Sequence, residues 1–203
     1  MSSSGAPAVR PASREIARAA VQTELSVAAY ELVVEKGYGN VTLDDMAAAG
    51  GVSRSTFLRY FRTKDQAILV AFKAYVERMA DALRARPSEE DDWTALRSAV
   101  ESFVIPIYSR NPAGAKEISR LSMFTSALSG AHLDLVDWRA PLTQALAERH
   151  GAGEPVPLGL TVKVVAALDC MGLAVGRWVA SDGQVDLVDL LREGFAALSG
   201  QDG

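Results

Sequence analysis

Apolar residues recur with a helical period along most of this 203-residue chain. Near its start, five small or aliphatic residues occupy the i, i+3, i+4, i+7 and i+8 positions that share one face of an α-helix. They are Leu25, Ala28, Ala29, Leu32 and Val33. No convincing run shows the alternating β-branched residues of a half-buried strand. The periodicity therefore predicts an all-α fold.

Capping and helix-breaking residues divide this pattern into about nine helices. Ser13, Ser53 and Thr63 are suited to begin helices, and Gly37 is suited to end one in the left-handed conformation. Asn111-Pro112 is a further start signal, because proline favours the first helical position. The predicted helices span residues 13–36, 43–49, 53–61, 64–84, 93–110, 112–129, 131–150, 157–181 and 185–198.

A helix-turn-helix is indicated by the stretch VTLDDMAAAGGVSRSTFLRYFRTKDQAIL. Gly50-Gly51 would make the tight turn, Val52 would fill the angle between the helices, and Phe57 and Phe61 would be buried. The outer face would then present Arg54, Ser55, Thr56, Arg59 and Tyr60. Arginines and hydroxyls at a helix N-terminus suit the base edges of a DNA major groove, and the helix amides favour phosphate. The alternative, a helical hairpin that only packs against its neighbours, stays open on these residues alone.

The distribution of charge favours the DNA-binding interpretation. The net charge is −4. However, residues 1–76 hold nine Lys and Arg against seven Asp and Glu, whereas the remainder holds 12 against 18. Four cations and no acid lie within residues 54–64. A local positive surface is what phosphate binding requires, and a distant acidic body does not prevent it.

Many positions at fixed spacing between residues 25 and 72 match one known signature. They are Ala28-Ala29, Leu32-Val33, Gly37-Tyr38, Thr42-Leu43-Asp44-Asp45-Met46-Ala47, Gly51-Val52-Ser53, Thr56-Phe57, Arg59-Tyr60-Phe61, Lys64 and Ile68-Leu69. On these residues the chain resembles the TetR family of transcriptional regulators. The resemblance implies a three-helix DNA-binding domain, a C-terminal domain for ligand binding and dimerisation, and a homodimer that binds a pseudo-palindromic operator. Most members are repressors that a small molecule releases from double-stranded DNA.

The resemblance also implies a set of DNA-contacting residues. They are Thr42, Arg54, Ser55, Thr56, Leu58, Arg59, Tyr60 and Lys64. Lys64 corresponds to the lysine that begins the family's fourth helix and contacts phosphate. Leu58 stands where tyrosine is usual and cannot donate a hydrogen bond, so its contact is lost or becomes apolar. Gly50 replaces a usual alanine, which we expect to loosen the turn slightly.

The predicted organisation is a disordered tail at residues 1–12, a DNA-binding domain at 13–66 and a ligand-binding and dimerisation domain at 67–203. Large apolar residues of the last domain are either pocket-lining or plain core. The candidates for a ligand pocket are Phe103, Ile107, Met123, Phe124, Leu135, Trp138, Met171 and Trp178. The dimer interface is expected on the last two helices, with intramolecular packing as the alternative. Its candidates are Gly172, Gly176, Val188, Leu191, Phe195 and Leu198.

Other classes of protein are disfavoured. The N-terminus lacks the apolar segment of a secretory signal, and the most apolar stretch carries Lys163, Asp169 and Arg177, so we expect a cytoplasmic protein without a membrane span. One cysteine and two histidines predict neither a disulfide nor a metal site, and no cofactor is expected. An enzyme is not expected, because no GxSxG, GxGxxG or Walker A pattern occurs. The alternatives that stay open are a helical enzyme and a partner-binding scaffold.

Overall fold

The computed structural model describes residues 13–129 and 139–200, and these residues form nine α-helices and no strand. The predicted all-α class is therefore confirmed. The helices are α1 (Ser13–Lys36), α2 (Leu43–Ala49), α3 (Arg54–Leu58), α4 (Lys64–Arg84), α5 (Asp92–Arg110), α6 (Pro112–Ser129), α7 (Arg139–Arg149), α8 (Leu158–Ala180) and α9 (Leu187–Ser199). The predicted tail, and the predicted start of the seventh helix at residue 131, lie outside the described residues.

Two local features differ from the sequence-based expectation. A short 3-10 helix, Tyr38–Asn40, connects α1 to α2 and was not predicted. The third helix ends at Leu58 rather than at residue 61, because the chain tightens into i→i+3 bonds there. The amide of Arg59 donates to the Thr56 carbonyl at 3.2 Å, and the amide of Tyr60 donates to the Phe57 carbonyl at 2.9 Å. This early turn positions the chain to begin α4 at Lys64.

The helix-turn-helix closes around a small aromatic core. Phe57 and Phe61 are completely buried, with ring centroids 5.0 Å apart, as the i, i+4 spacing predicts. Val41 and Met46 fill the remaining space beneath them and are also inaccessible to solvent. The core holds α3 by its inner face, so its outer face stays in solvent.

Helix α4 joins the two halves of the molecule without interruption. Its first turn completes the helix-turn-helix, and the predicted domain boundary between residues 66 and 67 falls inside it. Farther along, Val76, Met79 and Leu83 are buried between α1, α5 and α7. A rigid helix shared by both halves is a direct mechanical link between them.

The C-terminal half is a helical body in which α5, α7, α8 and α9 bury their apolar faces against one another. Leu96, Leu142, Leu146 and Leu191 are among its fully buried side chains. Leu191 and Phe195 were expected in a dimer interface. That expectation is wrong for both residues, because they face inward and bury their surface within the protomer. Intramolecular packing satisfies the apolar face of α9.

One arginine of α7 holds the end of α4 and the loop that follows it. The Arg149 guanidinium donates to the carbonyls of Arg86 and Pro87 at 2.6 and 2.9 Å. Beside it, Arg84 Nε lies 2.7 Å from Glu148 Oε2. The forked guanidinium therefore ties α7 to the loop that follows α4 through several backbone carbonyls.

Candidate nucleic-acid interface and ligand cavities

The first helix of the motif is fixed at its start by a reciprocal cap. The Thr42 amide donates to Asp45 Oδ2 at 2.8 Å, and the Asp45 amide donates to Thr42 Oγ1 at 3.2 Å. The Thr42 hydroxyl also donates to Asp45, and this hydrogen bond lowers the pKa of the Asp45 carboxyl. Thr42, one of the predicted DNA-contacting residues, therefore uses its side chain to cap α2.

The turn between α2 and α3 depends on both glycines. Gly51 adopts φ +68°, and its amide donates to the Ala48 carbonyl at 3.0 Å while Val52 donates to Ala47 at 3.0 Å. This pair of bonds is a Schellman motif. A Cβ on Gly50 would lie only 2.5 Å from Leu25 Cδ2. Gly50 thus permits close packing of α2 on α1. The sequence-based expectation, that glycine in place of the usual alanine only loosens the turn, did not include this role.

Helix α3 begins with a cluster of three hydroxyls. Ser53 Oγ accepts from the Thr56 amide at 3.2 Å and lies 3.0 Å from both Ser55 Oγ and Thr56 Oγ1. Ser55 is exposed and Thr56 is half-buried. The cluster holds these side chains at the helix N-terminus, where hydroxyls and free amides face the same region of solvent.

The arginines of this surface are not equivalent. Arg54 Nη1 lies 2.8 Å from Asp44 Oδ2, and both side chains are mainly exposed. The charge count over residues 54–64 does not include Asp44, because this acid belongs to α2. Arg59, the C-cap of α3, is exposed, and Leu58 beside it is 38% exposed. Arg54 must exchange a carboxylate for DNA, whereas no ion pair to another described residue engages Arg59.

Two residues near the interface have tertiary contacts that the sequence did not reveal. The half-buried ring of Tyr60 lies 5.8 Å from the Arg18 guanidinium carbon of α1, which adds a cation to this surface. Lys64 Nζ donates to the carbonyls of Tyr38 and Val41 at 2.9 Å each, and lies 4.1 Å from the centre of the Tyr38 ring. Two of the three ammonium protons are therefore used within the protein.

Tyr38 completes this junction between the 3-10 helix and α4. Its hydroxyl donates to Asp65 Oδ1 at 2.7 Å. Burial and this hydrogen bond together raise the pKa of Tyr38 to about 12. The hydroxyl therefore stays protonated and keeps the start of α4 in place.

The candidate ligand residues separate into several places. Phe103 and Ile107 line a cavity of about 180 Å³ between α1, α4 and α5, and Trp178 lines a second cavity of about 280 Å³ beside the α8–α9 loop. Met171 is half-buried against the core and lines neither of these cavities. The side chains of Met123 and Phe124, and the residues Leu135 and Trp138, lie outside the described part of the chain.

A second link joins the helix-turn-helix to the body, in addition to α4. Asn111, at the start of α6, donates from Nδ2 to the Glu35 carbonyl at 2.6 Å, and the Gly39 amide donates to Glu117 Oε1 at 3.3 Å. Gly114 approaches α1 so closely that a Cβ there would overlap the Val34 carbonyl. Movement of α6 would therefore act directly on the end of α1.

Helix α8 is long and apolar enough to cross a membrane, but its composition has another explanation. One face packs within the body through residues such as Val164, Ala167 and Trp178. The opposite face leaves Leu158, Val162 and Leu173 exposed. The inner side of the helix is thus apolar and covered within the protomer, whereas its outer side carries exposed aliphatic residues and Asp169.

A capped helix-turn-helix with cations around its exposed helix, carried by an all-helical body, defines a class of protein, the helix-turn-helix transcriptional regulators. Residues 25–69 match the family model of bacterial regulatory proteins of the tetR family. Residues 90–201 match the model of the MftR C-terminal domain, which covers more than half of the chain. The chain belongs to the TetR family, which confirms the resemblance found in the sequence.

Individual relatives agree with this assignment. The chain is 31% identical over 81 residues to the transcriptional activator FasR of Mycolicibacterium smegmatis, a match covering 39% of this chain and 37% of FasR. It is 26% identical over 137 residues to the regulator EthR of the same organism, covering 64% and 62%. The matches thus span between about one third and three fifths of these relatives. The fold also resembles the fatty acid degradation regulator FadR of Bacillus halodurans, with TM-score 0.56, 20% identity and coverage of 87% and 93%.

Proposed function

We propose that this protein is a ligand-responsive, cytoplasmic repressor that binds a pseudo-palindromic DNA operator as a homodimer and is released by a small molecule. The observation that carries the proposal is the exposed face of α3, where Arg54 and Ser55 lie at the capped helix N-terminus and Arg59 lies at its C-terminal cap. Bound in a major groove, the exposed face of α3 would bring the hydroxyls and arginines to base edges. Lys64 and Tyr60 would lie at the phosphates that flank the groove.

DNA binding is tested with the full chain and a double variant. A duplex selected from a random pool serves as the operator, and affinity is measured at about 50 and about 200 mM salt. We expect the wild-type affinity to fall at least about tenfold between these concentrations, and Arg54→Ala/Arg59→Ala to abolish operator selection. Arg97→Ala on α5 is the matched control. A wild-type affinity that depends neither on salt concentration nor on duplex sequence would refute DNA recognition by this surface.

The exposed face of α8 supports a homodimer. Leu158, Val162 and Leu173 are 76%, 55% and 74% exposed, and no neighbouring atom would contact a Cβ on Gly172 of the same helix. Asp169 is exposed on the same face, so the surface offered to a partner is aliphatic around one carboxylate. Exposed aliphatic side chains aligned on one helix favour burial against a partner, and a two-fold axis would bring two copies of α8 together. Two symmetric α3 helices would then require half-sites about one helical turn, or a multiple of it, apart.

A point substitution tests the dimer better than a truncation, because removing residues 185–203 would also remove the buried Leu191 and Phe195. Leu173→Glu places like charges across the two-fold axis, and we expect monomers in sedimentation velocity with at least a tenfold loss of operator affinity. Val185→Glu, a 43% exposed position in the loop after α8, is the control. Dimers that persist in Leu173→Glu would exclude α8 as the interface.

Ligand release is supported by the cavities of the body and by its two links to the helix-turn-helix. A ligand that prefers the arrangement unable to bind DNA shifts the population, and a hundredfold effect needs about 2.7 kcal/mol of coupling. Phe103→Ala should change the response to the ligand and leave ligand-free operator affinity nearly unaltered. Equal loss of both would make Phe103 a core residue only.

A further inference from the structure

The cavity between α1, α4 and α5 has aromatic walls. The ring centroids of Tyr30 and Tyr75 are 5.4 Å apart, and those of Tyr75 and Phe103 are 5.5 Å apart. Met79 and Ile107 extend the apolar surface. Each wall belongs to a different helix, so the cavity exists only because the tertiary structure brings these helices together.

Two tyrosine hydroxyls in this cavity have no hydrogen-bond partner among the described residues. Tyr30 and Tyr75 are only 3% and 9% exposed, and both line the cavity. Burial raises the pKa of each hydroxyl, for Tyr30 well above its usual value, so both remain neutral donors at physiological pH. Since no described residue accepts a hydrogen bond from either hydroxyl, both are available to an acceptor that enters the cavity.

The charged residues of the cavity have an excess of positive charge. Arg110 Nη1 lies 3.4 Å from Glu31 Oε2, which compensates one arginine. Arg78 lies over the Tyr75 ring at 5.4 Å, and no carboxylate of the described residues is within ion-pair distance of it. A cationic ligand would meet this arginine as a like charge. The aromatic walls and the uncompensated guanidinium together favour an anion with an apolar body.

The volume limits that body to about one ring. The cavity holds about 180 Å³, close to the ~150 Å³ apolar cavity that is known to bind benzene in another protein. We propose that this cavity binds a small aromatic carboxylic acid, with the ring between Tyr30, Tyr75 and Phe103 and the carboxylate at Arg78. The inference rests on the proposed ligand response and assigns it a site and a chemical class.

The location of the cavity gives such a ligand a means to act on DNA binding. Tyr30 belongs to α1, which is part of the DNA-binding half, whereas Phe103 belongs to α5 of the body. A molecule that contacts both favours one relative placement of these helices. The ligand would then bind the DNA-binding arrangement and the arrangement unable to bind DNA with different free energies, as a population shift requires.

The site is tested by calorimetry with benzoate and the full chain in the absence of DNA, with benzylamine as the cationic counterpart. We expect saturable benzoate binding with a Kd of about 1 mM or tighter and no binding of benzylamine. Arg78→Ala should weaken benzoate binding at least tenfold, and Lys73→Ala, which removes an exposed cation of the same helix, should leave it unchanged.

Two further variants keep the test decisive if Arg78→Ala folds poorly. Tyr75→Phe removes only a hydroxyl and should weaken benzoate binding. Ser102→Leu, at an exposed lining position, should occlude the cavity and abolish it. No saturable binding, binding that these variants leave intact, or binding lost instead in Trp178→Ala of the other cavity, would each overturn the proposal. Because operator binding is measured separately, failure here leaves the regulator assignment standing.

Discussion

The helix-turn-helix and the C-terminal body are both helical, but different contacts hold them. In the first, Thr42, Ser53 and Thr63 each accept the amide three residues ahead, so every helix start from α2 to α4 is fixed locally. In the body, α5 and α9 also have local caps, but long-range contacts are added to them. Arg149 donates to carbonyls more than 60 residues away, and Asp92 joins α5 to the residue after α7 and to α8. Local contacts can be inferred from neighbouring residues, whereas distant ones cannot.

The largest expected effect tests whether the two regions unfold together. Phe61→Ala removes a fully buried ring and should lower the free energy of unfolding by about 3–5 kcal/mol. All three tryptophans follow residue 92, so their fluorescence reports only on the body, while circular dichroism reports on both halves. Because α4 is continuous, we expect the two signals to change together during denaturation. Separate transitions would show that α4 does not couple the regions.

The second prediction concerns the long-range contacts of the body. Arg149→Met keeps the apolar stem but removes the guanidinium that holds Arg86 and Pro87, and should cost about 2–3 kcal/mol in chemical denaturation. Arg149→Lys should recover little of this loss, because an ammonium cannot reproduce the planar fork. A fully stable lysine variant would mean that charge alone is needed there.

The third prediction separates positioning from sequence reading on the DNA. Arg54→Ala and Thr56→Ala should each cost about 1–3 kcal/mol on the operator and little on random DNA. Lys64→Ala should weaken both and lower the salt slope by about one unit. Since Lys64 also holds two carbonyls, thermal unfolding of this variant is the necessary control. A sequence-selective loss in Lys64→Ala would contradict the proposed orientation of α3.

A smaller effect tests the local caps. Thr42→Ala removes the side-chain acceptor at the start of α2 and should cost about 1 kcal/mol of stability, while Thr42→Ser should retain most of it. The measurement is the midpoint of urea denaturation at constant slope. Equal losses in both variants would show that the methyl group, and not the cap, is what matters.

The smallest effect is the pH dependence from Asp92. Burial raises the pKa of this carboxyl, but hydrogen bonds from Lys163 and His150 outweigh it and leave the pKa lowered. Its contribution is therefore present above the unfolded pKa of about 3.9 and is lost as pH falls through the lower folded value. Asp92→Asn should reduce the loss of stability below about pH 4, by less than about 1 kcal/mol, in acid titrations. If the loss of stability at acid pH is the same in Asp92→Asn as in the wild type, protonation of Asp92 is not linked to folding.

Much of the fold followed from single residues and their neighbours. Ser53, Thr63 and Gly37 marked real helix ends, and the i, i+4 pair Phe57 and Phe61 was correctly placed in the core. The early end of α3 was missed because hydrogen bonds, and not residue type, decide where its last turn tightens. The inward face of α9 was missed because an apolar stripe does not reveal whether its partner is the same chain or another.

The sequence by itself determined the helical class, the capped helix-turn-helix and the family, because these depend on residues within a turn or two of one another. Only the tertiary structure decided that Arg54 meets Asp44, that Lys64 is held by the carbonyls of Tyr38 and Val41, and that Tyr30 shares a cavity with Phe103. Each of these contacts depends on the relative placement of different helices. That placement is set by how entire helix faces pack against one another. The residues of such a packed interface come from distant parts of the sequence, so no single segment encodes it.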